Sequence, residues 1–265
     1  MAMKHFSGIH PTAIIGDNVT LGKNVTIGPR AIIYDNVTVG DQANIGADVI
    51  LGEPLTSIYS DPDAYENPPL MIGERALIRS GTIIYAGSTI GPELETGHRV
   101  TIREGATIGR NLRVGTLSDI QGHCTIGDYV RFHSNVHIGQ GSEIANYVWI
   151  FPYTVLTNDP HPPSLEMRGV VVEEFAVIAT MVVVLPGVRV GRDSLVAASS
   201  MVRRDVQPET VVAGNPAQPV ASVRDIKNKS TGQPVYPWRY SFDRGMPWQG
   251  IGFDEWSKGL APKSE

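Results

Sequence analysis

From Ile72 to Leu156, one residue in every six is apolar, with a single exception. In steps of six the chain reads Ile72, Ile78, Ile84, Ile90, Thr96, Ile102, Ile108, Val114, Ile120, Ile126, Phe132, Ile138, Ile144, Ile150 and Leu156. A period of six fits neither an amphipathic helix nor a long alternating strand. It predicts a short strand, a sharp turn and another short strand, repeated with one inward aliphatic each time. The next residue is often Gly (Gly73, Gly91, Gly109, Gly127, Gly139), as a corner without Cβ strain requires. Four residues after the aliphatic comes a compact side chain, as in Ala76, Thr82, Ser88, Ala106, Cys124 and Ser142, and this predicts a second inward position.

An earlier block has the same frame: Ile15, Leu21, Ile27, Ile33, Val39, Ile45 and Leu51, with Gly next in six of the seven cases. Leu51 to Ile72 is 21 residues, so the frame breaks, and residues 54–69 read as a loop rich in Pro, Asp and Ser. Such a loop points to function or to a subunit contact. A second break, 157–170, contains TNDPHPPSLEMRG; the repeat then resumes at Val172 and continues to Val202. The expected organisation is a solenoid over 1–217 followed by a non-repetitive extension over 218–265. That extension holds three of the four tryptophans, and it can cap the coil, pack on a neighbouring subunit or stack on a ligand ring.

Net charge is −5, which argues against a nucleic-acid partner. The N-terminal MAMKHFSGIHP has no signal-peptide core and no long apolar run follows, so no membrane partner and a cytoplasmic location are expected. The single cysteine excludes an internal disulfide. Cys124 falls at a compact inward position, which makes it core packing rather than a nucleophile.

Three hexads per coil would place residues 18 apart on adjacent coils, at the strand spacing of about 4.8 Å. Ser80 then lies below His98, and Asp119 below His137. His98, Asp119, His133, Asn135 and His137 all map onto one five-residue segment of successive coils. Arg103 and Glu104 lie just past it, and His123 faces outward on the same side. Three of the seven histidines in one patch mark either a solvated polar ladder or a site. A carboxylate beside an imidazole raises the imidazole pKa and fixes its tautomer, as a base or a structural pair requires. His98 is the leading candidate base and Glu104 the second catalytic candidate. Ser80, Arg103, Asp119, His123, His133, Asn135 and His137 are the candidate substrate contacts.

FAVIATMVVVLPGVRVGRDSLVAASSMVRRDV followed by VVAGNPAQPV is similar to the closing coils of the coenzyme-A-dependent hexapeptide acyltransferases. Val212, Gly214, Asn215, Pro216 and Ala217 match the V-x-G-N-P-A ending, and the resemblance covers roughly 9–217. It implies an all-β fold, a left-handed parallel β-helix, and acyl-CoA as co-substrate without a metal. It implies a groove for the pantetheine arm beside Ala179, Ala197 and Ala198, with Arg203 and Arg204 in reach of the coenzyme phosphates. SGTIIYAGSTIG, TGHRVTIREG and SDIQGHCTIGDYVRFHSNVHIGQ further resemble the N-acyltransferases of dTDP- or UDP-linked amino sugars, enzymes of lipopolysaccharide and glycan biosynthesis. The acyl group would be acetyl. The alternative is a sugar O-acetyltransferase using His161, whose flanking prolines depart from that family's pattern. A gamma-class carbonic anhydrase, with His98, His133 and His137 on zinc, and a non-catalytic trimeric scaffold are more distant readings. The outward aromatics Tyr129, Tyr147, Trp149 and Phe151 point to a homotrimer.

Overall fold

In a computed structural model, the structure describes residues 8–259. The first seven residues, where the N-terminus was read for a targeting segment, lie outside the described residues, as do 260–265. Short strands form three parallel sheets wound as one β-helix, consistent with the left-handed hexapeptide coil. The first sheet has 10 strands, from Ile14–Ile15 to Met201–Val202. The second has 9, from Thr20–Leu21 to Arg189–Val190. The third has 11 and begins at Thr26–Ile27. It ends with Thr210–Gly214, on which Ala217–Ser222 folds back antiparallel.

The register follows the arithmetic of six. Ile83 pairs with Thr101, Thr101 with Asp119, Asp119 with His137 and His137 with Val155, each 18 residues on. From Ile27 onward the aliphatic of each hexad is buried, and so are the compact residues Ala76, Thr82, Ser88, Ala106, Cys124 and Ser142. Together they form one continuous core along the coil. Each buried Ile, Val or Leu contributes about 1.5–3 kcal/mol, and stacking lets every coil share that core with its neighbours. Burial pushes the Cys124 thiol up to about 11, so its expected role as core filler holds.

The glycine after each aliphatic is needed for a different reason from the one expected. Apart from Gly52, these glycines do not take the left-handed backbone; a Cβ on Gly28 would stand 2.8 Å from the backbone N of Ala47, and one on Gly91 2.7 Å from the carbonyl carbon of Gly109. Close approach of the next coil excludes the side chain. The left-handed conformation falls two residues later, at Asn18, Asn24, Asn36 and Asn111, and also at the bulky Tyr129, Tyr147 and Phe175. Left-handed backbone costs an ordinary L-residue roughly 1–2 kcal/mol, so the coil must impose it at the aromatic corners.

Those aromatics are covered. The C-terminal segment lies along the solenoid's flank, where Trp238, Met246 and Trp248 join Phe175 and Val177 in a second buried cluster. Tyr129, Tyr147, Trp149 and Phe151 pack against it. The Trp238 indole N–H donates to the Phe175 carbonyl at 2.9 Å, and Arg239 pairs with the buried Asp193. The outward aromatics that pointed to a trimer therefore meet this chain's own extension. The tail packs on the flank of its own solenoid rather than on a neighbouring subunit. Among the described residues, no helix is long and apolar enough to cross a membrane.

Candidate functional site

Two edges of the first sheet collect the polar residues singled out from the sequence. Along the edge where the third sheet turns into the first, Ser80 Oγ lies 2.9 Å from His98 Nδ1. The His98 backbone N–H donates to Thr116 Oγ1 at 3.2 Å, so the coil above and the coil below both hold the residue. Its ring is exposed. Asn135 stands at a left-handed corner of this edge, with its N–H on the Thr116 carbonyl at 2.9 Å. His133 stacks on Phe151, with ring centroids 4.4 Å apart, and burial holds its pKa below the ordinary imidazole value.

On the sheet itself, His137 Nδ1 lies 3.1 Å from Asp119 Oδ2, which also accepts from Gln121 Nε2 at 2.6 Å. Burial pushes the Asp119 carboxyl up, but the hydrogen bonds from His137 and Gln121 and the nearby positive charges outweigh it and hold the group below its usual range. The pair is therefore anchored at one end by an ionised carboxylate.

Arg103, Glu104 and His123 stand at the opposite edge, where the first sheet turns into the second. Arg103 makes a two-pronged pair with Glu104, 2.8 Å and 3.0 Å, and its guanidinium lies 4.7 Å from the Tyr85 ring centroid. Burial raises the Glu104 pKa, but the Arg103 pair together with a backbone hydrogen bond outweighs it and leaves it lowered. His123 takes a left-handed corner with its ring over Gly105, where a Cβ would come within 2.5 Å of Nδ1. The strand Thr101–Ile102 separates His98 from Arg103 and Glu104. The two catalytic candidates thus occupy opposite edges of one sheet.

The coenzyme candidates divide the same way. Ala179 and Ala197 continue the column of Gly97, Gly115, His133 and Phe151, and Ala198 continues that of His98. Arg203 and Arg204 continue the columns of Arg103 and Glu104. Both insertions leave this same edge, because the strands before them, Ile50–Glu53 and Val155–Leu156, belong to the same sheet. Loop 54–69 is tied down by Asn67, which donates to the Gly52 carbonyl at 2.9 Å and accepts from the Tyr65 hydroxyl at 2.7 Å. His161 is exposed in the other loop, and its backbone N–H donates to Asp159 at 2.9 Å. Among the described residues, no group of three or more His, Cys, Asp or Glu is placed to hold a metal ion.

Two features escaped the sequence reading. One is Gln121, two residues from Asp119 and just past the strand Asp119–Ile120. The other is a set of arginines on the third sheet, where Glu95, Arg113, Arg131 and Trp149 form one column at steps of 18. The 18-residue rule that found Asp119–His137 would have found this column as well.

Residues 19–53 and 105–140 match the family model described as bacterial transferase hexapeptide (six repeats). Over 93 residues the chain is 33% identical to the 2,3,4,5-tetrahydropyridine-2,6-dicarboxylate N-acetyltransferase of Staphylococcus aureus, covering 35% of this chain and 33% of that one. Over 95 residues it is 32% identical to the galactoside O-acetyltransferase of Lactococcus lactis, covering 33% of this chain and 46% of that one. The chain thus spans less than half the length of these relatives. Among solved structures, the perosamine N-acetyltransferase of Caulobacter crescentus, in complex with CoA and GDP-perosamine, overlays with a TM-score of 0.34. Identity is 16%, over 70% of this chain and 85% of that one.

Proposed function

We propose that this hexapeptide-repeat β-helix is an acyl-CoA-dependent acyltransferase whose acceptor is the amine of a nucleotide-linked amino sugar and whose acyl group is acetyl. The observation that carries this reading is His98, exposed on a coil edge with Ser80 fixed 2.9 Å from its Nδ1. If Nδ1–H donates to Ser80, Nε2 is left as the free acceptor. The neutral amine attacks the thioester carbonyl: the C–N bond forms, the C–S bond breaks, and the amine proton passes to Nε2. The coenzyme leaves as a thiolate that then takes up a proton. Gly97 and Gly115 sit beside His98 in the neighbouring column, where the bare backbone leaves room for the thioester while their own N–H groups are held by the Val114 and Phe132 carbonyls of the next coil. Asp119 and His137 on the adjoining sheet would orient the sugar, with Glu104 and Arg103 at its far edge.

Loop 54–69 closes over the nucleotide or sugar of the substrate in this reading, from the Arg103 edge. The working assembly is a homotrimer. The apolar rungs left for a partner copy are Ile14, Ile32, Ile50 and Ile83 on the first sheet, and Ile14 is 62% exposed. Light scattering that returned a monomer at micromolar concentration would remove the trimer. The activity is tested by incubating acyl-CoAs with a panel of nucleotide-linked amino sugars and reading out free thiol. Thiol release that depends on the amine supports the reading. Release with hydroxylated sugars alone would favour the O-acetyltransferase alternative, and no release from any acyl-CoA would overturn acyl transfer.

A further inference from the structure

The C-terminal extension closes a groove along the third sheet that differs in character from the His98 edge it leads to. One half is a cavity of about 470 Å³ lined by Arg79, Arg113, Arg131 and Arg244, with Glu95 as its one carboxylate. Glu95 is 3.6 Å from Arg79 and 3.4 Å from Arg113, so it is shared between two guanidiniums. No carboxylate pairs with Arg244 among the described residues. Arg131 has none either. It is 5% exposed, and its hydrogen bonds go only to neutral oxygens: the backbone and side-chain carbonyls of Asn111, the Val130 carbonyl, and the Gly245 carbonyl of the extension at 2.7 Å. A buried cation with no carboxylate in hydrogen-bond contact costs stability, and Glu95 offsets that cost only through space. Burial and the neighbouring Arg113 charge lower its pKa to about 10, so the guanidinium stays protonated at neutral pH.

The other half is an adjoining cavity of about 530 Å³ that shares His133, Trp149, Phe242 and Arg244 with the first. Its walls are aromatic and apolar: Phe151, Val177, Tyr236 and Trp238. His133 is stacked on Phe151, and Phe242 meets Trp149 edge-on at 5.5 Å. Flat rings and guanidiniums side by side are what a heterocyclic base joined to phosphates requires. The basic half also includes His98, Gly97 and Gly115.

We infer that this groove binds a nucleoside diphosphate moiety. The base lies in the aromatic half, the diphosphate lies over Arg113, Arg131 and Arg244, and the group beyond the phosphates points toward His98. The extension is then a part of the binding site, supplying Phe242, Arg244 and the carbonyl that holds Arg131. Two ligands carry this chemistry, a nucleotide-linked sugar and the adenosine diphosphate portion of coenzyme A. The inference deepens the proposed function but rests on it only for what lies beyond the phosphates, because occupancy of the groove can be measured without turnover.

The test is calorimetric titration of the full chain with dTDP, UDP, GDP and coenzyme A, repeated with Arg113→Gln/Arg244→Gln and with Phe242→Ala. Both arginines are exposed enough for the double variant to fold, and its melting curve checks that it has. We expect at least one ligand to bind, to weaken tenfold or more in the double variant, and to be displaced by inorganic pyrophosphate. Phe242→Ala should weaken a nucleoside diphosphate more than it weakens pyrophosphate. Affinity for dTDP, UDP or GDP alone assigns the groove to the sugar nucleotide, and affinity for coenzyme A alone assigns it to the cofactor. No binding by any of the four at millimolar concentration overturns the inference. So does binding unchanged in the folded double variant. A chain that binds as expected but releases no thiol in the acyl-transfer assay would instead count against the proposed reaction.

Discussion

Replacing Trp248 by Ala should detach the C-terminal extension while leaving the coil intact. Trp248 is fully buried. Its ring centroid lies 5.1 Å from Phe253, 5.2 Å from Tyr147 and 5.3 Å from Trp256, and its indole N–H donates to the Phe242 carbonyl at 3.1 Å. A buried Trp removes about 150–250 Å² from water, worth roughly 4–6 kcal/mol at 25 cal/mol per Å². The Ala left behind and partial collapse of the cavity reduce the cost to about 3–5 kcal/mol, as for other Trp truncations. The cluster around Trp248 shares no buried residue with the coil's core, so the loss falls on docking of the extension. At 1.4 kcal/mol per factor of ten, amide protection over 236–256 should fall by about 10² to 10³·⁵-fold. Native-state hydrogen exchange reads this directly. Amides of the coil, such as those of Ile102 and Ile120, should keep their protection. Equal loss in coil and extension would refute the separation of the two clusters, and an unchanged extension would refute its packing.

Three further outcomes are expected. Gly91→Ala should destabilise the coil by about 1–3 kcal/mol, seen in the urea midpoint, because its Cβ meets the Gly109 backbone; a neutral effect would mean that the coils separate more easily than the close stacking implies. The Asp119 carboxyl is held below its ordinary value in the folded chain, so its contribution is present above about pH 4 and is lost as pH falls through the lowered pKa. The side chain is 35% exposed, which limits this to under about 1 kcal/mol; the stability gap between wild type and Asp119→Asn should narrow as pH falls below about 4, and a gap that did not narrow at all in acid would contradict the pairing. Cys124 should resist thiol reagents in the native chain and react only on unfolding, and rapid native labelling would contradict its burial.

The coil and part of the site were legible because a strict repeat turns sequence distance into spatial distance. Ser80–His98 and Asp119–His137 are 18 residues apart and in contact, as counting alone requires. The same counting places both insertions on one edge, since Leu51 and Leu156 fall in one sheet. Where the period stops, the legibility stops. Tyr129, Tyr147 and Trp149 are outward at their hexad positions whether a partner chain or the chain's own tail covers them, and nothing periodic in 218–265 tells which. Arg131 looked like any outward polar residue; only the carbonyl of Gly245, 114 positions away, buries it. The hexad glycines were read as corner residues, whereas the excluding atoms belong to the next coil.

Turnover of His98→Ala and His161→Ala, measured side by side with the amine acceptor identified by the thiol-release panel, tests the acyl-transfer site most directly. Loss of a general base lowers rate by about 10²–10⁴. His98→Ala should therefore lose turnover on that scale with KM within a few-fold of wild type, while His161→Ala stays near wild type. A His98→Ala enzyme within about threefold of wild type would hand the proton to the coenzyme thiolate, and a collapse confined to His161→Ala would move the reaction to the 157–170 loop.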